Sequence, residues 1–231
     1  MLTFVTFLWG DKYSGGDVAK LAGGLKRHVS QPYRFIVFTD KRRDVAGVEQ
    51  HPICDSYLTK VPGCFARLRL FDPNFQAALG IDEGDRIVSI DLDVVITGNL
   101  DPLFDRPEPF LILKGANSVN PCPYNGSLWM LRAGYRPDVW FDFSLDAADK
   151  VKHPVHVEGQ AAFADDQSWF AHMMPDEAGW VAGTNGVYAF QKKGWPGGDD
   201  LPKDARLVAF FGWRKPGKFR HLKWVNQNWA A

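Results

Sequence analysis

Apolar positions follow two rhythms along this chain. Residues 3–9, TFVTFLW, form a short and almost unbroken apolar run that stops at Gly10-Asp11, the pattern of a buried strand. Ser14 then suits a helix cap, and Val18, Leu21, Ala22, Leu25 and Val29 recur at helical spacing, giving one apolar face. Gln31-Pro32 ends that helix, and residues 33–38 make a second buried strand running into Thr39-Asp40. Strand, helix and strand in this space mark a parallel sheet, because parallel neighbours need a crossover. No GxGxxG opens the helix, so a dinucleotide fingerprint is absent.

Residues 48–53 are a weaker strand candidate. Residues 64–71, CFARLRLF, read as a helix with Phe65, Leu68 and Phe71 on its apolar face and Arg67 projecting elsewhere. Asp72-Pro73 breaks it, and a polar stretch follows. Residues 87–90 are an apolar run that delivers the chain to Asp91-Leu92-Asp93, and 94–96 carry it away. Asp101-Pro102 suits the cap and first turn of a short helix through Phe104, and 110–113 is a strand. Residues 117–126, rich in Asn, Pro and Gly, read as a loop, 127–131 as a strand and 138–148 as a helix. Residues 152–157 hold His153 and His156 among β-branched residues; both histidines read as packing or surface groups. Asp165 or Asp166 caps a helix carrying Trp169, Phe170 and Met173. Residues 188–190 are short and apolar, Trp195-Pro-Gly-Gly is a turn, and 206–211 is a last strand before the basic stretch 213–223. No repeat, low-complexity tract or linker divides the pattern. It predicts one α/β domain over residues 1–231.

Composition narrows the classes. A chain of 231 residues with 45% hydrophobic and 14% aromatic content can bury a sizeable core and is not disordered. Nine Trp and seventeen Phe suit a core with some rings left to line a cleft. Formal net charge is zero, which argues against nucleic acid as a partner. No apolar stretch approaches the roughly 20 residues that span a bilayer. The N-terminal residues lack a basic region and a small-residue cleavage site, so they do not read as a signal peptide. Cys54, Cys64 and Cys122 are odd in number and lack metal-ligand spacing, so reduced, mostly buried thiols in a cytoplasmic protein are expected.

Asp91 and Asp93 carry the candidate chemistry. In an extended chain residues i and i+2 point the same way, so both carboxylates meet one place at or just past the end of a buried strand. Two carboxylates there repel unless a cation lies between them, and oxygen-rich sites favour hard ions such as Mg²⁺ or Mn²⁺. A lone D-x-D does not exceed chance, and a solvated strand end is the alternative. Position favours the site: apolar runs flank it, a parallel unit precedes it, and ligands of open α/β sheets sit at the carboxyl ends of strands.

The stretch IVSIDLDVVITGNLDPLF resembles the D-x-D segment of GT-A glycosyltransferases, especially the glycogenin-like and bacterial lipopolysaccharide-type retaining enzymes. Further segments resemble the same group in the same order: VTFLWGDKY its first strand and loop, FIVFTD its second strand, YNGSLWMLRAG its Asn-Ser-Gly strand, ADDQSWF its Asp-Gln helix start, and LVAFFGWRKP its terminal His-x-x-Gly-x-x-Lys-Pro. The resemblance implies a GT-A-like (Rossmann-like) domain, with a mostly parallel mixed sheet between helices. Residues 1–100 would form a nucleotide-binding half and 101–231 a sugar and acceptor half. It further implies a UDP-sugar donor, with Mn²⁺ or Mg²⁺ between Asp91, Asp93 and the diphosphate, and Lys215 on the phosphate. Phe7 to Tyr13 and Asp40 would hold the uridine, with Tyr13 stacked on the base. Asp166 and Gln167 would face the donor sugar and the reacting centre as catalytic residues, Asn125 would lie in the sugar-facing segment, and Arg67 would point toward the nucleotide.

The resemblance thus implies retaining transfer of a hexose to a carbohydrate or other hydroxyl acceptor. Two departures stand out. Residues 125–127 read Asn-Gly-Ser, not Asn-Ser-Gly, and the family's third metal ligand, a His, is replaced by Ala209 or Phe211, leaving His221, His172 or water to substitute. A weakly active or inactive sugar-nucleotide-binding protein is therefore the alternative. A sugar-1-phosphate nucleotidyltransferase ranks behind it, because residues 10–16 hold one Lys and no Arg to grip a triphosphate. The locally basic residues 206–223 suit a diphosphate, an anionic acceptor or peripheral membrane contact.

Overall fold

β1 (Leu2–Leu8) divides its side chains between two apolar layers, with Phe4 and Leu8 in one core and Val5 in the other. The computed structural model describes residues 1–116, 121–153 and 162–231. α1 (Gly15–His28) starts as expected at Ser14, whose amide and hydroxyl both donate to Asp17 at 2.9 Å. Its Val18, Leu21 and Leu25 cover the Phe4 face. β2 (Tyr33–Thr39) pairs in parallel with β1 along its whole length, and β3 (Glu49–Pro52) adds in parallel beside it.

The next segment departs from expectation. Phe65–Phe71 is a 3₁₀ helix, entered from Cys64 in the left-handed region at φ 59°. At three residues per turn, positions i and i+3 eclipse, so Phe65, Leu68 and Phe71 still form one buried row. Asp72-Pro73 ends this helix as expected, and the stretch that follows opens with another. Asp72 caps α2 (Pro73–Ala78) by accepting the Asn74 amide at 2.9 Å.

β4 (Arg86–Ile90) lies parallel to β1, but β5 (Val94–Ile96) does not continue its pairing. After it come α3 (Asp101–Phe104), β6 (Phe110–Lys114) and β7 (Tyr124–Arg132). α3 receives its amide cap from Asn99, not Asp101: Asn99 Oδ1 accepts the Asp101 amide at 2.9 Å. β7 begins three residues before the expected strand, so Asn125 and Gly126 are buried strand residues; residues 117–120 lie outside the described residues. The single expected helix at 138–148 is two, α4 (Asp138–Phe141) and α5 (Leu145–Lys150), because Ser144 caps a new start by accepting the Ala147 amide at 3.1 Å. His156 lies outside the described residues, and His153 is half-buried outside any strand. α6 (Asp166–Met173), β8 (Ala178–Val181), β9 (Val187–Ala189), β10 (Leu207–Ala209) and α7 (Lys223–Asn228) complete the chain. β8 was not legible as a strand.

Seven strands form the central sheet in the order β3-β2-β1-β4-β7-β6-β8, in which β7 alone runs antiparallel among the described strands. A second sheet of three, β5-β10-β9, packs Val95, Tyr188, Phe190, Val208 and Phe210 against Val225 and Trp229. On the far face of the large sheet, Phe71, Phe110, Trp129 and Phe170 pack ring on ring at 5.5–6.2 Å. The expected mixed, mostly parallel α/β sheet between helices is what forms.

Candidate functional site

Asp91-Leu92-Asp93 is the turn by which the chain leaves the large sheet and enters the small one. The Asp91 amide donates to the Ser127 carbonyl of β7 at 3.0 Å, and the Asp93 carbonyl accepts the Phe210 amide beside β10 at 3.0 Å. Both carboxylates line a cleft of about 430 Å³ at the carboxyl end of β4, as do Arg67, Asp166, Gln167 and Lys215. A narrower chamber of about 150 Å³ adjoins it, lined by Phe7, Trp9 and Tyr13 and sharing Arg67, Asp91 and Asp93.

The sequence offers no cation beside the acidic pair, yet each carboxylate has one in the fold. Arg67 Nη1 donates to Asp91 Oδ1 at 2.8 Å and to the Gly126 carbonyl at 2.6 Å, while its Nε lies 2.8 Å from Asp166 Oδ2. Burial works against the charge on Arg67, but Asp166 and Asp91 outweigh it and push its pKa up. Burial pushes Asp166 up to about 7, against the pull of Arg67 and with Asp165 and Asp91 adding repulsion. Gly126 leaves room for this cluster, since a Cβ there would stand 2.8 Å from Arg67 Nη2. Arg67 thus lies buried between two carboxylates while lining both the cleft and the narrow chamber.

Asp93 has a different set of partners. Its Oδ2 accepts the Tyr13 hydroxyl at 2.7 Å, and the Lys215 ammonium touches both that oxygen and the Tyr13 hydroxyl. Burial and the neighbouring Asp91 push Asp93 up, more than Lys215 and Tyr13 pull it down. Tyr13, expected on the base, spends its hydroxyl here, and burial together with Asp93 pushes its pKa up.

Asp165 is the cap of α6, accepting the Ser168 amide at 2.7 Å, which leaves Asp166 to Arg67. Gln167 donates from Nε2 to Asp165 at 3.0 Å and accepts the Gly126 amide at 3.2 Å, and it is half-buried where Asp166 is fully buried. Asn125 lines the cleft, with its Oδ1 accepting the Ser127 amide at 3.0 Å. Phe7 reaches the narrow chamber stacked on Phe38 at 5.0 Å. Asp40 is not part of the lining of either space. It braces the loop after β1, accepting the Gly10 amide at 3.0 Å and Arg43 Nη2 at 2.7 Å, beside a separate surface pocket.

Cys64 is a wall residue that sequence reasoning missed, and burial pushes its thiol up to about 11. Its left-handed backbone had no signal in the sequence beyond the preceding glycine. Of the other thiols Cys122 is buried and Cys54 exposed.

A divalent ion would find a reduced donor set. No group of three or more His, Cys, Asp or Glu that could hold a metal occurs among the described residues. Ala209 is fully buried in β10, Phe211 lines the cleft and packs against the core, His172 packs on Trp169 and His221 on Phe219. What fits a hard cation is the pair itself: Asp91 Oδ2 and Asp93 Oδ1, two carboxylate oxygens lining one cleft, take no part in the ion pairs above. The rest of the shell would come from water or phosphate oxygens.

No protein-family model matches the sequence, and no curated protein matches it. Solved structures do resemble the fold. The galactosyltransferase LgtC in complex with donor and acceptor sugar analogs aligns with a TM-score of 0.58 at 12% identity, over 98% of this chain and 96% of that one. An active-site mutant of LgtC aligns with a TM-score of 0.62 at 13% identity, over 97% and 95%. The glycosyltransferase GlyE of Streptococcus pneumoniae TIGR4 aligns with a TM-score of 0.62 at 14% identity, over 97% of this chain and 61% of its own. Likeness at such identities is likeness of fold: the chain has the GT-A glycosyltransferase fold.

Proposed function

We propose that the protein is a nucleotide-sugar-dependent hexosyltransferase, moving a hexose from a UDP-sugar to a hydroxyl acceptor with retention. One observation carries the reading. Asp91, Asp93, Arg67, Gln167 and Lys215 come from separate stretches of chain and meet on one cleft at the carboxyl end of β4, in a GT-A fold. Donor cleavage builds charge on the departing phosphate, and the Lys215 ammonium stands on the cleft wall to meet it. A Mg²⁺ or Mn²⁺ ion held by Asp91 and Asp93 would neutralise the same charge as a Lewis acid. Gln167, the more open member of the Asp-Gln pair, faces the sugar; Asp166 acts through Arg67.

Calorimetric titration of the purified protein with UDP, with and without Mn²⁺, tests the donor, and release of UDP from a panel of UDP-sugars tests turnover. We expect UDP binding in the micromolar range that depends on Mn²⁺, with that dependence abolished by Asp91→Ala plus Asp93→Ala. Absence of binding by UDP or any other nucleotide in either condition would overturn the proposal. The buried Ala209 in place of a metal ligand favours a second reading, a sugar-nucleotide-binding protein without turnover. Nucleotide binding with no UDP released from any donor would establish it. Pyrophosphate release from a nucleoside triphosphate and a sugar phosphate would point instead to nucleotidyl transfer.

A further inference from the structure

Lys12, Arg67 and Lys215 line the cleft with the acidic pair; Arg67 and Lys215 form ion pairs with it, and those two are held very differently. Arg67 is buried and bound by Asp91, Asp166 and the Gly126 carbonyl together. Lys215 keeps 23% of its side chain exposed, lies in extended backbone between β10 and the turn Pro216–Phe219, and meets one carboxylate and one hydroxyl, Asp93 and Tyr13. Only Lys215 can leave its carboxylate without stranding a buried charge of its own.

We propose, resting on the donor reading above, that Lys215 is an exchangeable counter-ion of Asp93: its ammonium and a divalent cation compete for that carboxylate, and a diphosphate resolves the competition by drawing Lys215 onto itself. A cation arriving alone meets a like charge already seated on Asp93 Oδ2. A diphosphate arriving alone finds Lys215 engaged by Asp93 and the Asp91 and Asp93 carboxylates repelling it. Arriving together, the cation takes the carboxylate and the phosphate takes the ammonium, so neither charge is left without a counter-charge. The two ligands therefore bind cooperatively, and by linkage each tightens the other by the same factor. Tyr13 belongs to the exchange, because its hydroxyl joins Asp93 and Lys215 and is released with them.

The test is binding, not turnover. Mn²⁺ alone is titrated by its electron paramagnetic resonance signal, and UDP with and without saturating Mn²⁺ by calorimetry, on wild type, Lys215→Gln and Tyr13→Phe, each checked for folding by circular dichroism. In wild type Mn²⁺ should tighten UDP about tenfold or more, within the usual range of coupling between sites. Lys215→Gln should bind Mn²⁺ alone several-fold more tightly and UDP several-fold more weakly, two changes of opposite sign that loss of structure would not produce. Tyr13→Phe, which keeps both charges, should also strengthen Mn²⁺ alone. Independent binding of Mn²⁺ and UDP in wild type overturns the exchange and leaves the donor reading standing. Absence of UDP binding everywhere removes the donor reading, and the Mn²⁺ titrations still decide the competition: a folded Lys215→Gln that binds Mn²⁺ no better than wild type, or not at all, overturns it.

Discussion

Arg67 and Asp166 form an ion pair almost closed to solvent, with Nε 2.8 Å from Oδ2 and side-chain exposures of 6% and 1%. Removing one partner of such a pair leaves a buried charge unmatched, at a cost of about 3–5 kcal/mol. Arg67→Met should lower the stability by that order in urea unfolding. Arg67→Met with Asp166→Leu should recover part of the loss, since neither buried charge then stands alone. Costs that simply add would show that the two residues are not an energetic unit.

Gly126→Ala probes the same cluster from the backbone side. The new Cβ would stand 2.8 Å from Arg67 Nη2 and 3.3 Å from Asp166 Oδ2, in strand β7, where glycine's special dihedral angles are not required. The guanidinium must move, and with it the hold on Asp91. We expect a folded protein whose affinity for UDP with Mn²⁺ falls about tenfold, equal to about 1.4 kcal/mol, by calorimetry.

Gly23→Ala sets two effects against each other. Alanine is favoured over glycine inside a helix by about 1 kcal/mol. Here, however, its Cβ would lie 2.5 Å from the Ala230 carbonyl oxygen. The last residues would have to leave α1, losing the Arg27 bonds to the Asn228 and Ala230 carbonyls at 2.9 and 2.8 Å. Thermal unfolding should show Gly23→Ala less stable than wild type in the full chain, and more stable than its parent when residues 230–231 are deleted.

Asp101 links stability to pH. Slight burial raises its pKa, but the Ser30 hydroxyl and amide outweigh this and hold it below the ordinary aspartate value of 3.8. A folded-state pKa below the unfolded one gives stability that is complete above the unfolded value and is lost as pH falls through the folded value. Asp101→Asn should therefore be less stable than wild type near pH 7, and the gap between their urea midpoints should close as pH falls below about 4.

The parallel half of the fold was legible because its signals are local. The β1 run, the Ser14 cap and the apolar spacing of α1 each need only a few neighbours to be read, and the cap and both strand pairings follow from them. Tyr124-Asn-Gly reads as loop because Asn and Gly are poor strand formers, yet its pairing with β6 and burial under α6 make it strand. Ser144 interrupts a helical period that its cap turns into two helices. The acidic pair was found from its spacing at the end of an apolar run and Lys215 through motif resemblance, whereas the contact between Asp93 and Lys215 joins residues 122 positions apart and has no local trace. Arg67 shows the same gap most clearly, since nothing in CFARLRLF says which carboxylates will surround its guanidinium.

Asp91 is anchored to the seven-stranded sheet through Ser127, and Asp93 to the three-stranded sheet through Phe210. The Asp91-Leu92-Asp93 turn is therefore a joint between the two sheets as well as the proposed cation site. Whatever grips both carboxylates also bears on the spacing between the two sheets. A bound cation would act as a rivet across the joint, and its presence would be felt as slower amide exchange in β9, a strand that has no cleft residue of its own.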